Sequence, residues 1–295
     1  MDFIPAKTIV SGYCRDNINW FGNNYNMNIY KGCNHGCIYC DSRSECYHVE
    51  NFDKVRAKEN ALTLIQRELK SKRRTGVIGT GAMSDPYNPF EKEYKLTRGA
   101  LELINTYHFG VSIATKSDLI TRDIDVLKKI RQHSPVLIKL TITTCDDELC
   151  KKIEPNVAVS SKRFSAMKRL SENDIFVGIL LMPVLPYIED NEENIGGIIR
   201  LAHDNGAKFI YPAFGVTLRQ NQRDWYYRKL DEIFPNLKES YIRNYGNSYE
   251  CSSPRADKLW KLYKSECEKL GILYKMNDII NGYKRGYGDR QLTLF

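Results

Sequence analysis

The sequence predicts an α/β fold: an open, partial (β/α)6 TIM-like barrel followed by a helical C-terminal extension. Three observations predict it. Six short apolar runs rich in β-branched residues alternate with longer amphipathic stretches. The first run leads into three closely spaced cysteines rather than a glycine-rich loop. Past residue 217 the alternation stops and helical patterns alone follow.

The runs place strands at 27–30, 76–81, 110–116, 136–143, 176–182 and 208–214. Each is apolar throughout and bounded by turn residues, as suits a strand buried on both faces. Helical patterns lie between them at 59–73, 97–107, 122–132, 161–171 and 194–204. In 97–107, Ala100, Leu101, Leu103, Ile104 and Tyr107 share one helical face. Such alternation implies a parallel sheet with right-handed crossovers, which a doubly wound sheet and a partial barrel both satisfy. A dinucleotide-binding fold sets a glycine-rich phosphate loop at its first strand–helix junction. Cysteines stand there instead, which favours the six-unit barrel. Residues 1–216 therefore read as the barrel with an N-terminal segment. Residues 217–295 read as the extension, with helices at 223–234, 237–245 and 254–270, no clear strand between them, an extended glycine-rich stretch at 282–289 and an exposed tail.

Composition bounds the function. In 295 residues, 42% are hydrophobic and 27% charged, which excludes a disordered, collagen-like or disulfide-scaffold chain. No run of apolar residues is long enough to span a bilayer, and no basic segment precedes an apolar one near the start. The expected location is the cytoplasm. Nine cysteines in a reducing compartment point to metal or redox chemistry before disulfides. Lys and Arg number 44 against 36 Asp and Glu, and a net charge of +8 suits an anionic partner such as nucleic acid without requiring one.

The segment Gly32-Cys33-Asn34-His35-Gly36-Cys37-Ile38-Tyr39-Cys40 carries the chemistry. Three thiolates so spaced on a loop wrap three corners of an iron–sulfur cube and leave its fourth iron open to a small molecule. Gly32 and Gly36 suit the tight bends this needs. The alternative is structural zinc, with Cys46, His35 or His48 as fourth ligand, although the spacing from Cys40 to Cys46 matches no common zinc knuckle.

Cys33-x3-Cys37-x2-Cys40, with aromatic Tyr39 before the last cysteine, resembles the radical S-adenosylmethionine (SAM) superfamily across roughly residues 20–215. Four segments are similar, more narrowly, to the spore photoproduct lyase-like family. They are Asn28-Ile-Tyr-Lys-Gly-Cys33; Ser84-Asp85-Pro86-Tyr87 with Leu96-Thr97-Arg98; Thr115-Lys116-Ser117 with Arg122-Asp123; and Glu154-Pro155 with Arg163. The resemblance implies a [4Fe–4S] cluster on Cys33, Cys37 and Cys40, with the open iron chelating the amine and carboxylate of SAM. One-electron cleavage then yields a 5′-deoxyadenosyl radical that takes hydrogen from the substrate. It implies that Tyr39 contacts adenine, Ser84 and Asp85 receive the ammonium, and Lys116, beside Ser117, holds the carboxylate or ribose region. Thr141 and Thr143 share one strand face, and one of them, preferentially Thr141, meets the ribose or carboxylate. Glu154 and Arg163 either serve the cofactor or pair with each other. Packing for Tyr39 and helix capping for Ser84 and Asp85 are the structural alternatives.

The chain departs from that family at two radical-handling positions. Met83 stands where the lyase has a hydrogen-donating cysteine, and Asp41 where it has a tyrosine after the last cluster cysteine. A thioether has no S–H to give. Cys145, after the fourth strand, is either a thiol donor from another direction or a small core residue. The expected enzyme acts on DNA or another nucleic acid, in repair or modification, by a route other than the spore photoproduct reaction, and its class, lyase or transferase, stays open. The alternatives are a radical SAM modifier of a peptide or small metabolite, and a metal-bearing nucleic-acid-binding module without catalysis. An electron donor such as flavodoxin or ferredoxin is implied.

Two further segments concern partners. The C-terminal Gln291-Leu-Thr-Leu-Phe295 is similar to the peptide by which bacterial repair and replication proteins bind the sliding clamp, or it packs back on the barrel. Arg223-Asp-Trp225-Tyr226-Tyr227-Arg228 reads either as a base-stacking surface or, at helical spacing, as a core face.

Overall fold

A computed structural model describes residues 1–12 and 20–287. The main sheet runs, in spatial order, β10 (Phe209–Pro212), β9 (Phe176–Leu181), β8 (Val136–Thr141), β7 (Gly110–Thr115), β6 (Val77–Thr80), β3 (Tyr25–Met27) and β2 (Val10–Gly12). Six of these strands are parallel, and only β2 is antiparallel, at the edge beside β3. The expected six-unit parallel array is present, and it is open: among the described residues β10 and β2 do not pair to close a barrel. Three of the β1 to β5 segments form a separate sheet: β1 (Asp2–Ile4), β5 (Arg56–Lys58) and β4 (Tyr30–Lys31). The expected first strand at 27–30 is thus divided, because the chain leaves the main sheet after Met27 and enters the small one at Tyr30.

Crossover helices cover the outer face. α1 (Ala61–Ser71) buries Ala61, Ile65 and Leu69, one turn apart. α3 (Leu96–Thr106), after the single turn α2 (Glu91–Tyr94), buries Thr97, Ala100, Leu101 and Ile104. α4 (Ile124–Arg131), α6 (Ser160–Ser171) and α7 (Glu192–Asp204) follow the next strands. The short α5 (Asp147–Ile153), absent from the sequence reading, is started by Asp146, whose side chain accepts from the amides of Glu148 and Leu149.

The C-terminal extension contains α8 (Gln222–Ile233), α9 (Leu237–Tyr245), α10 (Ala256–Lys269) and α11 (Met276–Lys284). Two expectations are corrected here. A strand does lie between the helices: β12 (Glu250–Ser252) pairs antiparallel with β11 (Gly215–Thr217), and three residues are too few to show periodicity. Of the stretch expected to be extended at 282–289, residues 282–284 instead end α11, where Ile279 and Tyr283, one turn apart, are buried. Residues 288–295, including Gln291–Phe295, lie outside the described residues.

Three apolar clusters result. The largest lies between sheet and helices. A second joins Cys37, Ile38 and Tyr39 to Tyr226, Leu230 and Tyr241 of α8 and α9. The third, Phe21, Val77, Leu137, Leu180, Phe209, Ile279 and Tyr283, plugs the N-terminal end of the array beneath α11.

Candidate active site

The cysteines occupy a loop between β4 and two single turns, at the C-terminal side of the parallel strands. Gly32 and Gly36 take φ of +81° and +71°, a region that favours glycine, so the bends fall where the sequence placed them. The Cys33 amide donates to the Phe52 carbonyl at 2.8 Å, and Ile38 N–H to the Ile153 carbonyl at 3.0 Å. The loop is held by the extension too. Gln222 Nε2 donates to the Tyr39 carbonyl at 2.9 Å, and Arg219 Nε to Asp41 Oδ1 at 3.0 Å.

Cys33, Cys37 and Cys40 border one cavity of about 90 Å³, with His35, Gly81 to Asp85, Lys116 and Thr141. It adjoins a larger lumen of about 490 Å³, and Cys40, Ser42, Gly81, Ala82, Ala114, Lys116 and Thr141 line both. Burial pushes all three thiols up, Cys33 to about 11. Thiols in such surroundings keep their protons unless cationic metal replaces them. Among the described residues no three His, Cys, Asp or Glu groups close around a single-ion position. Three sulfurs spread around a shared cavity, beside a ligand-sized lumen, fit a polynuclear cluster with one open corner.

Behind the loop stands a buried ionic network. Tyr39 hydrogen-bonds Glu154 through its hydroxyl, and Arg163 Nη2 lies 2.5 Å from Glu154 Oε2. Arg163 also donates to the Thr141 carbonyl at 2.7 Å and the Ala158 carbonyl at 2.6 Å. Burial alone would raise Glu154, but Arg163 and Lys116 outweigh it and hold the carboxyl below its ordinary value. Lys116 Nζ lies 3.9 Å from Glu154 Oε1 and 5.7 Å from the Tyr39 ring centroid. Of the two alternatives for Glu154 and Arg163, the geometry shows the mutual pair. They line neither cavity and position Tyr39, Lys116 and Thr141, which do.

Ser84 and Asp85 border the cluster cavity but are internally engaged. Ser84 Oγ donates to the Tyr30 carbonyl at 2.9 Å. Asp85 accepts from Tyr87 N–H at 2.8 Å, Thr115 Oγ1 at 2.7 Å and Lys116 N–H at 2.8 Å. The pair therefore braces the end of β6 against β4 and the end of β7. Ser117 caps the following turn through Leu119 N–H and faces a different groove. Cys145 lines neither cavity: its amide donates to Asn194 Oδ1 at 3.0 Å and its side chain packs toward α7. Thr143 is buried beyond the strand end and lines neither cavity. Tyr226 is fully buried, so the aromatic–basic run on α8 is a core face, with Trp225 covered by Arg43 at 3.9 Å.

The quoted motif segments are knitted together. Glu91 links Tyr30, the Thr97 amide and Arg122, while Arg98 Nη1 reaches Asp123 at 3.1 Å. Thr97 Oγ1 donates to the Pro86 carbonyl at 2.6 Å.

The sequence reading missed Lys139, Asn23 and Trp20, which line the lumen. The first left a legible signal. A lysine inside an apolar strand, with the same alternation as Thr141, faces the same side.

A family model described as the radical SAM superfamily matches residues 27–201, which include all three cysteines. The chain belongs to the radical SAM superfamily. This radical SAM protein is accordingly an enzyme whose cofactors are a [4Fe–4S] cluster and SAM, and which cleaves SAM reductively. An uncharacterized protein of Methanocaldococcus jannaschii is 39% identical over 179 residues, 59% of this chain and 66% of that protein. Another, of Mycobacterium tuberculosis, is 27% identical over 230 residues, 75% of this chain and 67% of its own length. The chain thus spans about two thirds of each relative. Among solved structures, a spore photoproduct lyase variant superposes with a TM-score of 0.66 at 13% identity, covering 92% of this chain and 82% of that one. A second variant, with bound AdoMet and dinucleoside spore photoproduct, gives 0.64 at 12%, covering 92% and 82%. The radical SAM methyltransferase TsrM from Kitasatospora setae gives 0.54 at 10%, covering 83% and 51%. At such identities the likeness is one of fold.

Proposed function

We propose that this radical SAM enzyme abstracts hydrogen from DNA or another nucleic acid, in repair or modification, by a route other than the spore photoproduct reaction. The observation that carries the reading is the lumen of about 490 Å³ opening directly beside the cluster seat. A similar fold holds a dinucleoside together with AdoMet in one solved neighbour. The net charge of +8 favours a polyanionic substrate. Met83 lines the cluster cavity without an S–H, and Cys145 lies outside both cavities, which removes the thiol donors that the spore photoproduct route would use.

Bound together, cluster and SAM supply a carbon-centred radical for hydrogen abstraction. The chain's own residues do the rest. Cys33, Cys37 and Cys40 hold the cluster. Lys116 places a cation at the carboxyl end of β7, where it meets a carboxylate. Tyr39, kept in place by Glu154, offers a ring wall to adenine. Leu180, Met182, Pro183, Ala213 and Val216 give the lumen an apolar wall that disfavours water beside the reacting atoms. A small redox protein, flavodoxin or ferredoxin, is the proposed electron donor. The proposed compartment is the cytoplasm, whose reducing conditions suit the eight free cysteines of the described residues. No helix among the described residues is long and apolar enough to cross a membrane.

The test is anaerobic reconstitution followed by SAM cleavage with damaged DNA, undamaged DNA or RNA. One of the three is expected to raise 5′-deoxyadenosine formation. Equal turnover with all three and without them refutes the nucleic-acid reading. Cys37→Ala is expected to abolish both the cluster's visible absorbance and SAM cleavage, and retained cleavage refutes the ligand assignment.

A further inference from the structure

We propose that Lys139 and Asn23 select the substrate's base, taking a nucleobase that presents a ring N–H beside a carbonyl; this rests on the nucleic-acid reading above. Lys139 sits midway down β8. Two residues further on, Thr141 stands at the cluster end of the same face, and two residues back Leu137 belongs to the apolar plug. At about 3.3 Å per residue, Lys139 lies one layer, roughly 7 Å, beneath Thr141. Cofactor-facing groups occupy the layer above, so the Lys139 layer is open to the group that must approach the cofactor from below.

The side chain lines the lumen at 2% exposure. Its strand neighbours are Ala114 and Gly178, small enough to leave it a lane. Its Nζ donates to Ser112 Oγ at 2.7 Å and lies 4.7 Å from the Phe21 ring centroid. Among the described residues no carboxylate pairs with it, whereas buried lysines ordinarily have such a partner. Burial alone holds its ammonium down to about 7. An amine kept at this cost in a cavity wall is placed to donate to a ligand.

Asn23 lines the same lumen, and its Oδ1 is buried with no donor among the described residues. Its amide lies over Gly79, where a Cβ would approach Nδ2 to 2.4 Å, so glycine there makes room for it. Trp20, 40% exposed, forms a flat wall of the lumen. As an ammonium Lys139 only donates, so its partner must accept; an orphan amide oxygen only accepts, so its partner must donate. A planar ligand meeting both beside a ring wall carries an acceptor and a donor on one edge. Thymine, uracil and guanine present N–H next to C=O; adenine has no carbonyl. A base read this way must leave its stack to enter the lumen.

The test uses the SAM-loaded, reconstituted full chain and two single-stranded DNA probes, one all thymine and one all adenine, with binding read by fluorescence anisotropy. The unmodified enzyme is expected to bind the thymine strand roughly tenfold more tightly. Lys139→Met is expected to erase that preference and keep the phosphate-driven affinity for adenine, while Lys139→Gln, which retains an N–H donor, keeps part of it. Should Lys139→Met fail to load its cluster, Asn23→Ala is expected to lose the preference in its place. Equal binding of both strands, or a preference that survives these substitutions, overturns the inference and leaves the nucleic-acid reading standing. Binding of neither strand overturns the inference, and the nucleic-acid reading falls with it only if no DNA or RNA raises 5′-deoxyadenosine formation.

Discussion

Two lysines, one strand apart, do opposite work in this site. Lys116 faces Glu154 and the cluster thiols; burial would lower its pKa, but Cys37, once its sulfur is a thiolate, and Glu154 outweigh it and the ammonium stays charged. Its removal takes away a cation that a carboxylate-bearing cofactor needs. Lys116→Ala is expected to weaken SAM binding about tenfold while the cluster absorbance persists; calorimetry showing unchanged affinity would count against this. Among the described residues Lys139 has no such counter-charge, and the sign of its effect on stability follows. Its folded pKa, about 7, lies below the ordinary 10.5. Between those values the unfolded chain holds a proton that the folded chain has released, so stability rises with pH across that window and is fully penalised below it. Lys139→Met therefore raises the thermal midpoint most at and below pH 7, and the gain shrinks as pH approaches 10.5. A gain independent of pH would contradict the burial account.

At the level of strands and helices, the site is a junction of three braces. Asp85 ties the end of β6 to the end of β7. Arg163 on α6 ties the end of β8 to Glu154 at the end of α5, and through Tyr39 to the cysteine loop. Gln222 on α8 ties the same loop to the extension. The middle brace is the most exposed to mutation. Arg163 is fully buried, so Arg163→Met leaves Glu154, among the described residues, with the weaker Lys116 contact at 3.9 Å as its counter-charge. Breaking one side of a buried ion pair costs about 3–5 kcal/mol. Urea unfolding of this variant is expected to show a loss of that order; a midpoint equal to that of the unmodified enzyme would refute the pairing.

Taken as one object, the protein places its reactive end and its sealed end on opposite sides of the sheet. α11 and Phe21 plug the N-terminal side, and the cysteine loop and extension cover the C-terminal side. A chain of net charge +8 with such a lumen is suited to receive one unit of a polyanion. The segment 291–295 lies outside the described residues, and its similarity to a clamp-binding peptide supplies a separate proposal, that this tail docks on a sliding clamp. Deleting residues 291–295 is expected to abolish co-elution with a bacterial sliding clamp while SAM cleavage continues. A full-length enzyme that never co-elutes ends that idea.

Much of the architecture was legible in linear order because its causes are local. Continuous apolar runs specify strands buried on both faces, one-face periodicity specifies the crossover helices, and ligand spacing specifies the cluster loop. Short elements escaped: three residues in β12 show no period, and α11 hides its buried stripe behind glycine. The deciding contacts of Glu154, Arg163, Ser84 and Asp85 came from the folded chain, because Glu154 with Tyr39, Ser84 with Tyr30, Asp85 with Thr115 and Arg163 with Thr141 each join segments far apart in sequence. Lys139 shows the division most plainly. Its place on the inner face follows from strand alternation, but its lack of a counter-charge among the described residues depends on every strand around it, and that is known only once the sheet is formed.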